Sequence, residues 1–242
     1  MSIIGAGRLG RSLARLLPEA RLVRRGEDVP EADVYWLAVR DADIGAVVVP
    51  AGGVVLHSSG ALGPEVITRE GDRGVLHPLM TFPGPEIALP ALPVHARVEG
   101  TPRAISVATD LARALGWIPF TFAGDRRRYH AAAVMVSGLA GALFCQAAEE
   151  LAAASGMEPA EARTLLYPLA AESLRRAAEY GPSALTGPAA RGDVATMAGH
   201  MEALGAGGRA AYAALSTLAK GLSDGAPGLP GAALPRNSES PG

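Results

Sequence analysis

The run Met1-Ser2-Ile3-Ile4-Gly5-Ala6-Gly7-Arg8-Leu9-Gly10 decides the fold. A short apolar strand enters G-x-G-x-x-G, and the following residues predict a helix over about 8–17. Gly5 permits the tight turn, Gly7 lets the backbone approach a pyrophosphate, and Gly10 lets the helix pack close to the strand. The free N–H groups and positive dipole of that helix would face the phosphates, with Ala6, Arg8 and Leu9 completing the cradle. The alternative is a glycine turn that serves packing alone.

A second apolar stretch, Ala20-Arg21-Leu22-Val23, ends in Arg24-Arg25-Gly26. An NAD site commonly has Asp or Glu at this strand end to hold the ribose 2′-hydroxyl. Two guanidinium forks suit a 2′-phosphate instead, so the pattern favours NADP(H) as cofactor. The other reading of Arg24 and Arg25 is ordinary solvated charge.

The chain has 242 residues, enough for one large or two modest domains. A net charge of −2 makes no electrostatic case for nucleic acid or an anionic membrane. No uninterrupted run of 18 apolar residues is present, so no transmembrane span is expected. No signal peptide is expected either, because the chain begins on the strand and glycine loop. Cys145 is the single cysteine, which excludes an intrachain disulfide and a Cys-rich metal site and fits a cytoplasmic protein.

The first half alternates short apolar runs with helical segments, the sign of an α/β fold with a parallel sheet. Strands are expected near 2–4, 21–23, 34–39, 53–57, 74–77, 95–98 and 117–122, with a short helix over 41–49. Thr101 to Gly116 predicts a helix with Thr101 as N-cap and Pro102 at its first position. Ile105, Ala108, Leu111 and Leu115 form its expected apolar face. The nine residues 25–33 are too few for a crossover helix, so the doubly wound pattern is abbreviated there. From Asp125 the chain becomes helical. A long Ala/Gly/Val-rich helix to Ser155, apolar on most faces, calls for cover by other helices or a second subunit. Further helices follow from Pro159 (with a kink near Pro168), over 193–204 and over 209–222. The expected domains are therefore 1–123, Rossmann-like; 124–222, helical; and 223–242, a disordered tail.

Ligands of a doubly wound sheet bind beyond the carboxyl ends of its strands. Val39, Arg40 and Asp41 follow the third strand; His57, Ser58, Ser59 and Gly60 follow the fourth; His77 to Phe82 follow the fifth. Ser58 and Ser59 read as catalytic or nicotinamide-side residues, or as turn caps. His57 and His77 read as substrate and catalytic residues, or as buried satisfied histidines. On the long helix, His130, Val134, Ser137 and Gly141 share one face. His130, Tyr129 and Ser137 are candidate substrate-side groups. One of Arg126–Arg128, or Arg191 between turn residues, would grip a substrate carboxylate.

Together, Gly5-Ala-Gly-Arg-Leu-Gly10, His57-Ser-Ser-Gly60, His77-Pro-Leu-Met-Thr-Phe82, Tyr129-His-Ala-Ala-Ala133 and Leu185-Thr-Gly-Pro-Ala-Ala-Arg-Gly-Asp193 carry a resemblance. The chain resembles a family of predicted oxidoreductases with a Rossmann-like N-terminal domain and a helical C-terminal domain of unknown function. It is similar in architecture to the 6-phosphogluconate dehydrogenase superfamily, with pyrroline-5-carboxylate reductase, ketopantoate reductase and prephenate dehydrogenase. That resemblance implies NADP(H) chemistry at a domain interface and a homodimer formed through the helical domain. It also departs from the pattern. Hydroxyacid dehydrogenases and the usual ketopantoate reductases carry a lysine on the interdomain helix and an asparagine one turn on. Here Lys220 is the only lysine, and Gly138 stands where the asparagine is expected. A Tyr-x-x-x-Lys pair is also excluded, because position 216 is Ser.

The sequence therefore reads as an NADP(H)-dependent reductase of a small carbonyl or imino acid, possessing no metal site. His130 is the first choice of proton donor and His77 the second, because imidazole titrates near neutrality. The competing readings are a non-catalytic NADP(H) sensor, or a helical dimerisation module whose glycine loop binds nothing.

Overall fold

A computed structural model describes residues 1–88 and 92–226. The expected disordered tail lies, from 227 onward, outside the described residues. The chain forms two compact units that meet between Ser137 and Gly138, whereas the sequence places the boundary between 123 and 124.

The first unit is built on seven strands: β1 (Ser2–Ile4), β2 (Arg21–Val23), β3 (Val34–Leu37), β4 (Val54–His57), β5 (Arg73–Pro78), β6 (His95–Gly100) and β7 (Ile118–Phe120). They form one sheet in the order β2-β1-β3-β4-β5-β6-β7. Every neighbouring pair is parallel except β5 and β6, which run antiparallel with His77 opposite Arg97. The sheet is thus mostly parallel, as the sequence predicts, with one antiparallel pair. A loop, not a crossover helix, joins these two strands, and only antiparallel neighbours allow that connection. β7 is shorter than expected and lies at the sheet edge, where Pro119 costs no ladder hydrogen bond in a central strand.

Both faces of the sheet are buried, and successive side chains serve opposite faces. Ile3, Trp36, Val54, Leu56, Leu76 and Val98 pack against α1 (Arg8–Leu16) and α2 (Pro102–Ala114). Ile4, Tyr35, Leu37 and Val55 pack on the other side against Ile44 and Ile67. That second face has little helical cover. The stretch after β3 is a 3-10 turn over Asp41–Ala46, not a longer helix. The ten-residue connection from β2 to β3, 24–33, contains no helix, as its length requires. α2 starts as expected, with the Thr101 hydroxyl accepting the Ala104 N–H. Its innermost residues are Ala104, Ala108 and Ala112, and the larger Ile105, Leu111 and Leu115 flank them. Small side chains let this helix approach the strands closely.

The long helix runs Arg126–Ser155: α3 (Arg126–Val134), a π-helical segment (Met135–Leu139) and α4 (Ala140–Ser155). It is the one helix among the described residues long and apolar enough, by length and composition alone, to cross a membrane. Ser137, Gly138 and Gly141 interrupt its apolar run, and its mean hydropathy still reaches 1.7 over 18 residues. Only 6% of that window is buried, so the burial expected for this helix is not provided among the described residues.

In the second unit, α5 (Pro159–Tyr180) packs on α4 through Ala148, Ala152 and Ala162. Pro168 lies inside α5 without ending it. Short α6 (Pro188–Arg191), then α7 (Val194–Ala203) capped by Asp193, and α8 (Ala206–Ser223) complete the unit. Glu150 of α4 accepts the Gly205 N–H at the start of α8 (3.1 Å), replacing a local cap.

Trp117 closes the helical side of the sheet, 6% exposed and edge-on to Trp36 at 6.2 Å. Trp117→Ala should lower the free energy of unfolding by about 3–5 kcal/mol in urea titrations. A loss under about 1 kcal/mol would show that the two tryptophans do not anchor this core.

Candidate functional site

The glycine turn has the shape its pattern predicts. Gly5 sits at φ +111, and a Cβ there would lie 2.6 Å from the Ala38 carbonyl oxygen. A Cβ at Gly10 would collide with the Gly5 carbonyl, so the close approach of α1 to β1 requires glycine. At Gly7, by contrast, a Cβ meets nothing within 4 Å, and the space above the turn is open. Gly7 is the N-cap of α1 and supplies no side-chain acceptor, and the first turn of α1, begun by Arg8 and Leu9, holds no acid. Its amide donors remain available to an anion. A cleft of about 430 Å³ beside the turn is lined by Gly5, Ala6, Arg24, Arg25, Glu27 and Val39. The open Gly7, the uncapped helix and the arginines fit the pyrophosphate and ribose of a dinucleotide.

The residues after β3 and β4 form a hydrogen-bonded loop. Arg40 pairs with Asp43 (2.7 Å), and Asp41 accepts the Ser59 hydroxyl (2.8 Å). The same Ser59 oxygen accepts the Ala61 and Leu62 amides. Ser58 Oγ accepts the Trp36 indole N–H at 2.7 Å and donates to the Leu76 carbonyl. Both serine hydroxyls are thus engaged by the framework. His57 is fully buried. Its Nδ1 accepts the Ser59 amide, which leaves Nε2 to donate to the Gly63 carbonyl at 3.0 Å. Burial holds its pKa below the usual histidine value, against the pull of the Gly63 bond. The expected substrate-side role of His57 is not supported by this environment, because neither nitrogen is free.

Beneath this loop lies Arg97 of β6, a residue the sequence reading passed over. Its side chain is 0% exposed. Nη2 donates to the carbonyls of Ser59 (3.2 Å) and Leu62 (3.0 Å), and Nη1 to Glu99 (2.9 Å). The guanidinium also lies over the Tyr129 ring, 5.4 Å from its centroid. Glu99 is clamped from its other side by Arg126, which also reaches Glu65 at 3.2 Å. Arg126 holds the Glu99 carboxyl below its usual range. Arg126 is therefore committed to two carboxylates and is not a free substrate clamp.

The other two candidate histidines converge. His77, at the end of β5, holds the Tyr129 hydroxyl at Nδ1 (3.0 Å). The His77 and His130 rings stand edge to face at 5.8 Å. His77 Nε2 and His130 Nδ1 both face Gly60: a Cβ there would lie 2.8 Å from the first and collide with the second. His130 Nδ1 is buried without a partner among the described residues. Burial, and then the nearby Arg97 charge, push the His77 pKa down to about 4, so its ring is neutral at neutral pH. Burial pushes the Tyr129 pKa up, keeping its hydroxyl protonated. The pair opens on a cleft of about 620 Å³ walled by Pro78, Leu79, Met80 and Val134, with Ser137 at its edge. The Ser137 hydroxyl donates to the Ala133 carbonyl. Arg191 lies in the second unit, exposed on α6.

Sequence reading thus located His77, Tyr129 and His130, which the first unit brings together. It missed Arg97, Glu99 and Glu27. Removing Arg97 strands two buried carbonyl acceptors and leaves Glu99 to Arg126 alone. Arg97→Met should cost about 3–5 kcal/mol in stability and raise the pKa of His77, read by NMR titration. An unshifted His77 in a folded R97M protein would mean that the guanidinium field does not control it.

No curated protein matches the chain. In structure it is similar to protein TM1727 from Thermotoga maritima, at 20% identity and a TM-score of 0.67 over 92% of this chain and 98% of that one. It is also similar to BF3122 from Bacteroides fragilis, a candidate NADP oxidoreductase, at 20% identity and a TM-score of 0.76 over 92% and 97%. A third likeness is to 1-pyrroline-5-carboxylate reductase from Streptococcus pyogenes, at 16% identity and a TM-score of 0.56 over 91% and 97%. At these identities the likeness establishes a shared Rossmann-like fold. The model of the domain of unknown function DUF2520 matches residues 94–219, more than half of the chain, and the protein belongs to that family.

Proposed function

We propose that the protein is an NADP(H)-dependent oxidoreductase that reduces the carbonyl or imino carbon of a small acid. The observation that carries this reading is the convergence of His77 and His130 on Gly60, beside an open cleft and beyond the strand ends that also position the glycine turn. Gly5, Gly7 and Gly10 shape the pyrophosphate cradle, and Arg24 and Arg25 stand where a 2′-phosphate would lie. A bound dinucleotide would supply the hydride.

The chain's own residues then manage the proton. Tyr129, protonated, donates to His77 Nδ1, so His77 carries its hydrogen on Nε2, facing Gly60. A neutral imidazole in that tautomer donates a hydrogen bond to a carbonyl oxygen without giving up its proton. His130 delivers the proton to the oxygen or nitrogen that gains charge as the carbon is reduced. The apolar wall formed by Pro78, Leu79, Met80 and Val134 excludes water and strengthens both interactions.

With NADPH and a panel of 2-oxo and imino acids, His130→Ala should lower kcat by about 10²–10⁴-fold while leaving the NADPH Kd unchanged. Full turnover in the variant would remove His130 from the mechanism. NADPH binding with no oxidation across the panel would favour a sensor.

The His77 pKa also sets a stability profile. Its folded value of about 4 lies below the ordinary 6.5, so the unfolded chain takes up the proton first as pH falls. The stability contributed by neutral His77 is full above about pH 6.5. It declines by up to about 3 kcal/mol as pH falls towards 4 and levels off below that. Urea unfolding across this range should show a shallower decline for His77→Asn; an identical slope would contradict the assignment.

A further inference from the structure

The nucleotide cleft holds a carboxylate at the end of β2 that the order of residues conceals. Residues Arg24 to Glu27 form a tight turn, in which the Glu27 amide donates to the Arg24 carbonyl at 3.1 Å and Gly26 takes φ +86. The turn brings the Glu27 side chain back over the strand end. There it accepts the Arg24 backbone N–H at 2.8 Å and pairs with the Arg24 guanidinium at 3.6 Å. That backbone bond holds the Glu27 carboxyl below its usual range, so it is ionised at neutral pH. Asp43, the other acid lining this cleft, is paired with Arg40. Among the described residues Arg25 has no hydrogen-bond or ion-pair partner, although it lines the same cleft.

A carboxylate at the end of the second strand accepts ribose hydroxyls, whereas a 2′-phosphate there would meet its negative charge. The chain therefore presents opposite signals within four residues. We propose that Glu27 is the residue that sets cofactor preference. It accepts the ribose 2′-hydroxyl of NADH, and it occupies Arg24 so that Arg25 is the principal clamp for the 2′-phosphate of NADPH. This rests on the dinucleotide reading above and narrows it: the protein binds both cofactors, and Glu27 reduces the advantage that two arginines would otherwise confer on NADPH.

The test is fluorescence titration of the full chain with NADPH and with NADH, for wild type, Glu27→Gln and Arg25→Ala. Both positions are exposed, and thermal unfolding confirms that each variant folds. Glu27→Gln should tighten NADPH about three- to fivefold and weaken NADH by a similar factor, the range of an exposed charge interaction. Arg25→Ala should weaken NADPH about fivefold or more and leave NADH within about twofold. Wild-type binding of both cofactors with an unchanged ratio in Glu27→Gln overturns the role of Glu27 alone. Binding of neither cofactor to wild type overturns the dinucleotide reading, and this inference with it.

Discussion

A guanidinium sealed from water organises the candidate site. Burying a charge costs several kcal/mol unless its partners are well placed. Arg97 meets much of that requirement with Glu99, two loop carbonyls and the face of Tyr129, while its Nε has no hydrogen-bond partner among the described residues. Each partner belongs to a different part of the first unit: β6 itself, the loop after β4, and the first turn of α3. The loop from Ser59 to Leu62 has no regular structure to hold its carbonyls, and the charge does so instead. Glu99 passes the constraint on to Arg126 and so fixes where the long helix starts. The grouping of residues up to Ser137 with the sheet has this physical basis, since Arg126 and Tyr129 are held by sheet and loop.

The same charge governs what the site can do. Arg97 does not titrate in any accessible range, so its field is permanent. It disfavours protonation of His77 and His57 while burial does the same. The interdomain-helix lysine of hydroxyacid dehydrogenases, from whose pattern this sequence departs, would place a titrating ammonium beside the substrate. Here the positive charge is fixed beneath the loop, and the groups that face the cleft are imidazoles. In the proposed reaction, proton delivery and positive electrostatics, which one lysine would combine, fall to separate residues. The near-absence of lysine in the sequence is thus compatible with acid–base chemistry.

What the sequence made legible is what depends on neighbours in the chain. The glycine turn, the Thr101 cap and the shortened link between β2 and β3 are local demands, met by adjacent residues. The strand-end histidines were legible as a set, but their division was not. His57 and His77 look alike in sequence, and only the fold of residues 58–63 over His57 uses up both of its nitrogens. Arg97 was hidden for a related reason. Ala96 and Val98 alternate with His95, Arg97 and Glu99, which reads as a strand with one wet face. The antiparallel placement of β6 beside β5, under a loop nearly forty residues earlier in sequence, makes that face an interior. Glu27 was missed because a turn, not the strand, carries its carboxylate to the strand end.

Gly60 gives the strongest indication that the histidine pair is kept for chemistry. Its backbone is not in the left-handed region, so conformation does not demand glycine at this position. Space does, and the atoms that need the space are His77 Nε2 and His130 Nδ1. The loop that carries Gly60 is held by Arg97. The buried Nδ1 of His130 has no partner among the described residues, and an unpartnered buried polar atom costs about 1–3 kcal/mol. Such exceptions in a well-bonded structure concentrate at functional positions. In the proposed reaction, a substrate oxygen or nitrogen in the cleft that His77 and His130 line would meet a ring whose hydrogen bonding the chain leaves unfinished.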